Sequence, residues 1–285
     1  MFLNRLKAGW FWDQLYQMPN NYFIPKFINK ADYFMSSLKN ARVLEVCANS
    51  YQSALAAQNG GAKRVELCDN LAEGGTTPSY SQIALSKKNL TIEIWPIIRP
   101  RGGDFLYSEI EYELMKEDIR ICKSLNCDGI VTGILDANGN IDKERCAEII
   151  DLASPMPVAF HRAFDMTNNM NKALEDLIEL GIKRVLTSGG APSAFEGAET
   201  LANLVKQANG RIHIMAGAGI NKTNLNSLMT QTGATQYHAS SKVFVASKMH
   251  YKNTQTKMGT IDDEYQYELT DENKVRELVN ILEQV

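Results

Sequence analysis

The sequence has no apolar run of the roughly 20 residues that a membrane-spanning helix needs. It also has no surplus of positive charge: a net charge of -3 over 285 residues and a pI near 5.9 provide no basic field for a nucleic-acid backbone. The five cysteines are odd in number and show neither CxxC nor Cys–His zinc spacing, which argues against a disulfide framework and for a reducing compartment. We therefore predict a cytoplasmic protein without a membrane or nucleic-acid partner.

The first 34 residues differ in composition from the rest of the chain. They hold 10 of the 24 aromatic residues, yet lack the continuous apolar core and the small-residue cleavage site of a signal peptide. Two interpretations are open: an aromatic-rich arm that packs on the domain or on a partner subunit, or a stretch upstream of a natural start at Met35. We expect the second, which makes residues 1–34 an N-terminal extension and residues 35–285 one domain.

From Arg42 onward, a strand pattern followed by an amphipathic helix pattern recurs eight times. Eight alternations over roughly 240 residues favour a closed (β/α)₈ TIM barrel, an α/β fold, over an open doubly wound sheet. We predict a single-domain barrel whose strands span 42–48, 64–69, 91–99, 128–135, 157–164, 184–189, 212–218 and 236–241.

The fifth predicted strand, PVAFHRAF, ends in a histidine, a fixed cation and a carboxylate: His161, Arg162 and Asp165. Ligand chemistry in this fold lies at the C-terminal ends of the strands, so this cluster is a candidate site. Its alternative interpretation is structural, with Arg162 and Asp165 paired at a helix start and His161 buried in the core.

The first two predicted strands each carry a Glu-x-Cys unit, Glu45 with Cys47 and Glu66 with Cys68. Alternation points these side chains into the barrel, and adjacent strands lie about 4.8 Å apart, so the two thiols can come close. Paired sulfur ligands in a reducing site suit Cu(I). The alternative is that both cysteines serve as small buried hydrophobes.

The buried carboxylates need partners, and strand three ends in RPRGGDF, where Arg99 and Arg101 flank a proline. These guanidinium groups are predicted either to pair with the carboxylates or to hold an anionic substrate.

Two loops rich in small residues follow strands six and seven. TSGGAPS includes Ser188, and AGAGINKTN includes Gly217 and Gly219. In this fold the loops after strands seven and eight often bind phosphate through backbone N–H groups. Such loops also occur merely as turns.

The motifs together resemble the CutC family of copper homeostasis proteins, over about residues 42–242. The similar blocks, in order, are LEVCANS, RVELCDNLAEGGTTPS, PIIRPRGGDF, FHRAFD, LTSGG and AGAGIN. The resemblance implies a cytoplasmic (β/α)₈ barrel that forms a homo-oligomer, with a dimer expected, and that is associated with Cu(I). It implies that Cys47 and Cys68 are the copper ligands.

Two functional hypotheses follow. In the first, the protein binds a copper ion through Cys47 and Cys68. In the second, it is an enzyme acting on a small anionic metabolite, phosphorylated or carboxylated, with Glu66, His161 and Asp165 as acid and base groups. The ligand-binding residues would then be Arg99, Arg101, Arg162, Ser188, Gly217 and Gly219.

Overall fold

The computed structural model of the chain describes residues 42–258 and 263–284. The predictions made for residues 1–34, and the proposed start at Met35, lie outside the described residues.

Eight parallel strands form the barrel, in the order β3-β2-β1-β8-β7-β6-β5-β4. A parallel bridge between Ile97 and Val131 brings the two ends of this sheet together. The predicted (β/α)₈ fold is therefore confirmed. The strands are β1 Val43–Ala48, β2 Arg64–Leu67, β3 Glu93–Pro96, β4 Ile130–Thr132, β5 Val158–Phe160, β6 Arg184–Thr187, β7 His213–Ala216 and β8 Gln236–Ala239.

Eight α-helices accompany the strands in the described part of the chain. Six of them begin after a serine, aspartate or asparagine whose side chain accepts a backbone N–H of the first turn, which satisfies a donor that has no partner within the helix. The helices are α1 Tyr51–Asn59, α2 Tyr80–Asn89, α3 Glu109–Ser124, α4 Lys143–Ala153, α5 Met170–Glu179, α6 Ala198–Ala208, α7 Leu225–Thr232 and α8 Glu272–Glu283. None of the described helices is long and apolar enough to span a membrane.

The prediction that the fifth strand runs to residue 164 is wrong. β5 ends at Phe160, and a 3-10 helix spans Arg162–Met166. The cause is His161, whose side chain accepts the backbone N–H of Ala163 and so caps the new turn. A second 3-10 helix, Leu71–Glu73, follows β2.

An antiparallel hairpin follows β8 and was not predicted from the sequence. It consists of β9 Lys242–Ala246 and β10 Gln266–Thr270. The hairpin is tied to the first βα unit: Asn49 donates to the Glu268 carbonyl at 2.9 Å, and the Thr270 N–H donates to Ser53 at 3.0 Å. The loop that follows β1 is therefore held by the last strand of the chain.

The outer and inner faces of the barrel strands are packed by different kinds of residue. Outward-facing residues such as Leu44 and Val46 pack in one large apolar core with the helices. The inside holds a small apolar group of Trp95, Val131 and Ala159, together with polar and charged side chains that include the fully buried Glu45. The predicted inward orientation of the Glu-x-Cys units is compatible with this division, since Val46 lies in the outer core.

Candidate metal and ligand site

A cavity of about 630 Å³ opens at the ends of the barrel strands. Its walls come from residues near or just beyond the C-terminal ends of β1, β2, β3, β5, β6, β7 and β8, where functional groups lie in this fold. The polar and charged lining includes Cys47, Glu66, Arg99, His161, Arg162 and His238.

The two predicted metal ligands lie side by side. Cys47 is near the end of β1 and is partly accessible, whereas Cys68 follows β2 and is buried. A backbone hydrogen bond of 2.9 Å from Cys68 to Ala48 fixes the second cysteine beside the first strand. The sulfur atoms are 3.5 Å apart. With a carboxylate oxygen of Glu66, they form a set of ligand atoms all within 4.8 Å of one another.

His238 joins the two inward carboxylates. Strand pairing sets it opposite Glu45, and its Nδ1 lies 2.9 Å from the Glu45 carboxylate. Its Nε2 lies 3.5 Å from a carboxylate oxygen of Glu66. His238 was not among the site residues predicted from the sequence. The signal that would have revealed its role is the β1–β8 register, which pairs its position with Glu45.

Glu45 obtains its counter-charges from the barrel interior. Arg64, its register partner on β2, donates to its carboxylate, and Arg184 of β6 lies 3.6 Å from the same oxygen. The Arg184 guanidinium also stacks 3.5 Å from the centroid of the Trp95 ring. The partners of this carboxylate are thus not the predicted Arg99 and Arg101.

These contacts set the charge of the cluster. Burial acts to raise the pKa of Glu45, but Arg64, the His238 hydrogen bond and Arg184 together hold it well below its usual range. Burial likewise acts to lower the pKa of His238, yet its hydrogen bonds to Cys47 and Glu45 raise it well above its ordinary value. At neutral pH the pair is therefore carboxylate and imidazolium.

The two thiols differ in acidity because one donates to the other. The hydrogen bond from Cys68 lowers the pKa of Cys47 to about 5, against the opposing effect of burial and with further help from His238. The same bond, together with burial, raises the pKa of Cys68. Burial and the negative Cys47 raise the pKa of Glu66 to about 8. The site therefore presents one thiolate, one thiol and one protonated carboxyl group at pH 7.

Across the cavity, His161 is fixed in one orientation. Its Nδ1 accepts the N–H of Ala163 at 3.2 Å, so the ring hydrogen is on Nε2. Its ring lies against Gly133, where an added Cβ would be 2.5 Å from it, and 5.0 Å from the Phe105 ring centroid. Burial, reinforced by the positive Arg99, lowers the pKa of His161 to about 3. His161 is therefore a neutral hydrogen-bond donor at pH 7.

Arg99 holds together the loops that follow β2 and β3 beside the cavity. Its guanidinium donates to the backbone carbonyls of Glu73 and Gly75 at 2.8 Å and of Gly103 at 2.9 Å. The sequence predicted that Arg99 either pairs with a carboxylate or holds an anionic ligand. In the structure, its hydrogen-bond partners are three carbonyl oxygens from two loops. It still lines the cavity.

Asp165 anchors the loop after β6. Its carboxylate accepts from the backbone N–H groups of Ser188 and Gly190 at 3.1 Å and from the Thr187 hydroxyl, while Arg162 donates to it at 2.7 Å. Arg162 also donates to the Ser188 hydroxyl at 2.9 Å. The structure thus brings Arg162, Asp165 and Ser188 together as a hydrogen-bonded group in which the carboxylate is fully engaged.

The remaining predicted ligand-binding residues divide. Gly219 lines the cavity, in a left-handed conformation. Gly217 lies behind it, where an added Cβ would be 2.4 Å from the Leu186 side chain, so close packing requires glycine there. Arg101 is not among the cavity-lining residues of the described chain, and it pairs with Glu111 and Asp104.

Comparisons with known proteins point to one family. A model of the CutC family matches residues 42–243. A family protein CutC of Chromobacterium violaceum is 48% identical over 243 residues, 85% of this chain and 98% of that protein. A copper homeostasis protein cutC homolog of Mus musculus is 46% identical over 248 residues, 86% of this chain and 91% of that protein. The crystal structure of CutC from Streptococcus agalactiae matches with a TM-score of 0.67 and 36% identity, covering 70% of this chain and 98% of that one.

Proposed function

The chain belongs to the CutC family, and on that premise we propose that it serves copper homeostasis by binding one Cu(I) ion through Cys47 and Cys68. The observation that carries the proposal is the 3.5 Å separation of the two sulfur atoms, with Cys47 lining an open cavity and Cys68 buried behind it. Copper is the cargo of the site in this proposal.

The donor set favours a soft monovalent ion. Thiolate sulfur selects Cu(I), whereas carboxylate oxygen suits harder cations such as Mg²⁺ and Ca²⁺. Glu66 lies close enough to join the cluster, but the charge state of the metal-free site makes it a neutral carboxyl group at pH 7. We expect the two sulfur atoms to coordinate Cu(I) and Glu66 to lie close to the ion without coordinating it.

The hydrogen bond between the cysteines prepares the site for the metal. Cys47 is already a thiolate, and the Cys68 proton must leave when the ion binds. Binding at pH 7 should therefore release about one proton per ion. The His238 imidazolium, which is held by Glu45, offsets the added negative charge of the second thiolate.

The test is competition with a Cu(I) chelator under reducing conditions. The wild type should bind one equivalent, and Cys47→Ser/Cys68→Ser should bind none, because a hydroxyl does not replace a soft thiolate. Cys146→Ser is the matched control, since Cys146 is a buried free cysteine on α4. Unchanged affinity in the double variant would refute the assignment.

We further propose a cytoplasmic location and a homo-oligomer, with a dimer expected. Five free cysteines, two of them with sulfurs 3.5 Å apart, favour a reducing compartment. Support for the oligomer comes from the family resemblance. Sedimentation velocity of the reduced protein measures its assembly state, and a monomer at micromolar concentration would contradict the dimer.

A further inference from the structure

On the side of the cavity formed by β3, β5 and β7, buried donors have no acceptor. Within the described residues, His161 Nε2 and Arg99 Nε are buried nitrogen atoms without a hydrogen-bond partner. A buried donor left unpaired is energetically unfavourable, because it has lost its hydrogen bonds to water without replacing them. Both residues are 4% exposed and line the cavity.

Neighbouring groups fix the orientation of His161 and Arg99. His161 is held by its Nδ1 hydrogen bond, by contact with Gly133 and by Phe105, and Arg99 lies 5.1 Å from the centroid of the same Phe105 ring. Phe105 therefore supports both groups. A site that is rigid before its ligand arrives loses little conformational entropy on binding.

Arg99 brings a positive charge that no acid neutralises. Its Nη1 and Nη2 atoms donate to backbone carbonyls, and no carboxylate of the described chain forms an ion pair with it. A buried charge without a counter-charge is unfavourable, so an anion in the cavity would be attracted to it.

The loop after β7 adds backbone donors. Among the described residues, the N–H groups of Ala218, Gly219 and Ile220 form no hydrogen bond, although all three residues line the cavity. Ala218 and Gly219 both have positive φ, at 78° and 74°. Successive N–H groups in such a turn form an anion-binding concavity.

We infer that this side of the cavity binds a small oxyanion, the phosphate or carboxylate group of an organic metabolite, between His161 Nε2, the Arg99 guanidinium and the 218–220 backbone. β5 lies opposite β1 in the barrel order, with three strands between them in either direction. An anion held by His161 therefore faces the cysteine pair across the cavity. The remainder of such a ligand would extend towards Cys47 and Glu66, which line the same space.

The acids of the lining do not occupy the oxyanion position. Asp165 is engaged by the β6 loop and Arg162, and Asp104 is paired with Arg101. Glu66 and Cys47 lie on the opposite strands beside His238. The donors on the β5 side are consequently free to receive a ligand.

Oxyanion binding at this site does not require copper, so the oxyanion site and the copper site can be tested separately. The probes are sodium phosphate and sodium succinate at about 50 mM, each compared with sodium chloride of equal ionic strength on reduced, metal-free protein. For a millimolar site, mass action should raise the melting temperature of the wild type by several degrees. The matched variants are His161→Asn, which retains an N-capping acceptor but loses the Nε2 donor, and His213→Asn at the start of β7.

A rise that is present in the wild type and His213→Asn but lost in His161→Asn supports the site. A rise with phosphate alone identifies a phosphate ligand, and a rise with succinate alone identifies a carboxylate. An equal rise in all three proteins reflects general salting-out stabilisation and overturns the inference, as does no rise at all. If His161→Asn fails to fold, the His161 Nε2–H resonance of the wild type must shift on phosphate or succinate addition, and a static resonance overturns the inference.

Discussion

Glu45 and His238 meet inside the barrel where β1 pairs with β8, with a carboxylate oxygen 2.9 Å from the imidazole Nδ1. The pair couples the charged interior of the barrel to its mouth, since Glu45 also contacts Arg64 and Arg184, while His238 reaches Glu66. The cysteine pair therefore rests on a charge network whose other members lie deeper in the fold.

Removing the central charge of that network should strongly destabilise the protein. Glu45→Gln leaves Arg64 and Arg184 buried without a full counter-charge, and breaking a buried ion pair in this way costs about 3–5 kcal/mol. Glu93→Gln is the matched control, because Glu93 is half exposed and lies 3.9 Å from Arg64. Urea unfolding should give a control change within about 1 kcal/mol. Similar losses in both variants would show that Glu45 is not the main counter-charge.

The acidity of Cys47 should appear in its reactivity. Its pKa is lowered to about 5 by the hydrogen bond from Cys68 and by His238, so alkylation by iodoacetamide should reach half its maximal rate near pH 5 and decline below it. The Cys47→Ser variant identifies the fast-reacting group. His238→Asn should move the midpoint upward by removing the cation. A wild-type midpoint near the ordinary value of about 8.5 would contradict the proposed thiolate.

His161 should make the protein acid-sensitive. Its pKa is lowered by burial, and further by Arg99, to about 3, whereas the unfolded chain takes up the proton near pH 6.5. Its contribution to stability is therefore complete above about pH 6.5 and is lost as the pH falls towards 3. Between about pH 7 and pH 5, the wild type should lose about 2 kcal/mol more unfolding free energy than His161→Asn. Parallel pH profiles for the two proteins would show that His161 already titrates normally in the fold.

Asp165 should be a structural residue. Asp165→Asn replaces a carboxylate that accepts from Ser188, Gly190 and Arg162 by an amide that cannot satisfy them all. We expect a loss of about 1–3 kcal/mol in urea unfolding with unchanged Cu(I) affinity. Asp104→Asn, at an exposed position, is the control. Full stability in Asp165→Asn would return this residue to the list of groups available for a ligand.

The positions of the barrel strands could be predicted from local sequence patterns. The eight strands follow from apolar runs, and the adjacency of Cys47 and Cys68 follows from side-chain alternation on neighbouring parallel strands. Strand ends were less predictable, because the end of β5 depends on a side-chain cap at His161. The β9–β10 hairpin was missed because its two five-residue strands are only partly buried and lie outside the eightfold strand–helix pattern.

The roles of the arginines could not be predicted from the sequence. Arg99 follows β3, the neighbour of the strand that carries Glu66, yet its partners are carbonyl oxygens of two loops. Every residue has a backbone carbonyl group, so the sequence does not indicate which of them an arginine will contact. Glu45 is paired by Arg64 and Arg184, which begin their strands. Recognising that pairing requires the strand register and the twist of the closed barrel, which place β6 residues against β1.

The attachment of β10 to the loop after β1 also determines when the site can exist. Asn49, next to the first cysteine strand, is held by Glu268, which follows it by 219 residues. Because a ribosome synthesises the chain from its N-terminus, Cys47 and Cys68 emerge long before β10, the strand that holds the loop after β1. The nascent chain therefore exposes the two cysteines early, but their surroundings are complete only after β10 has been synthesised, and long-range contacts of this kind slow folding.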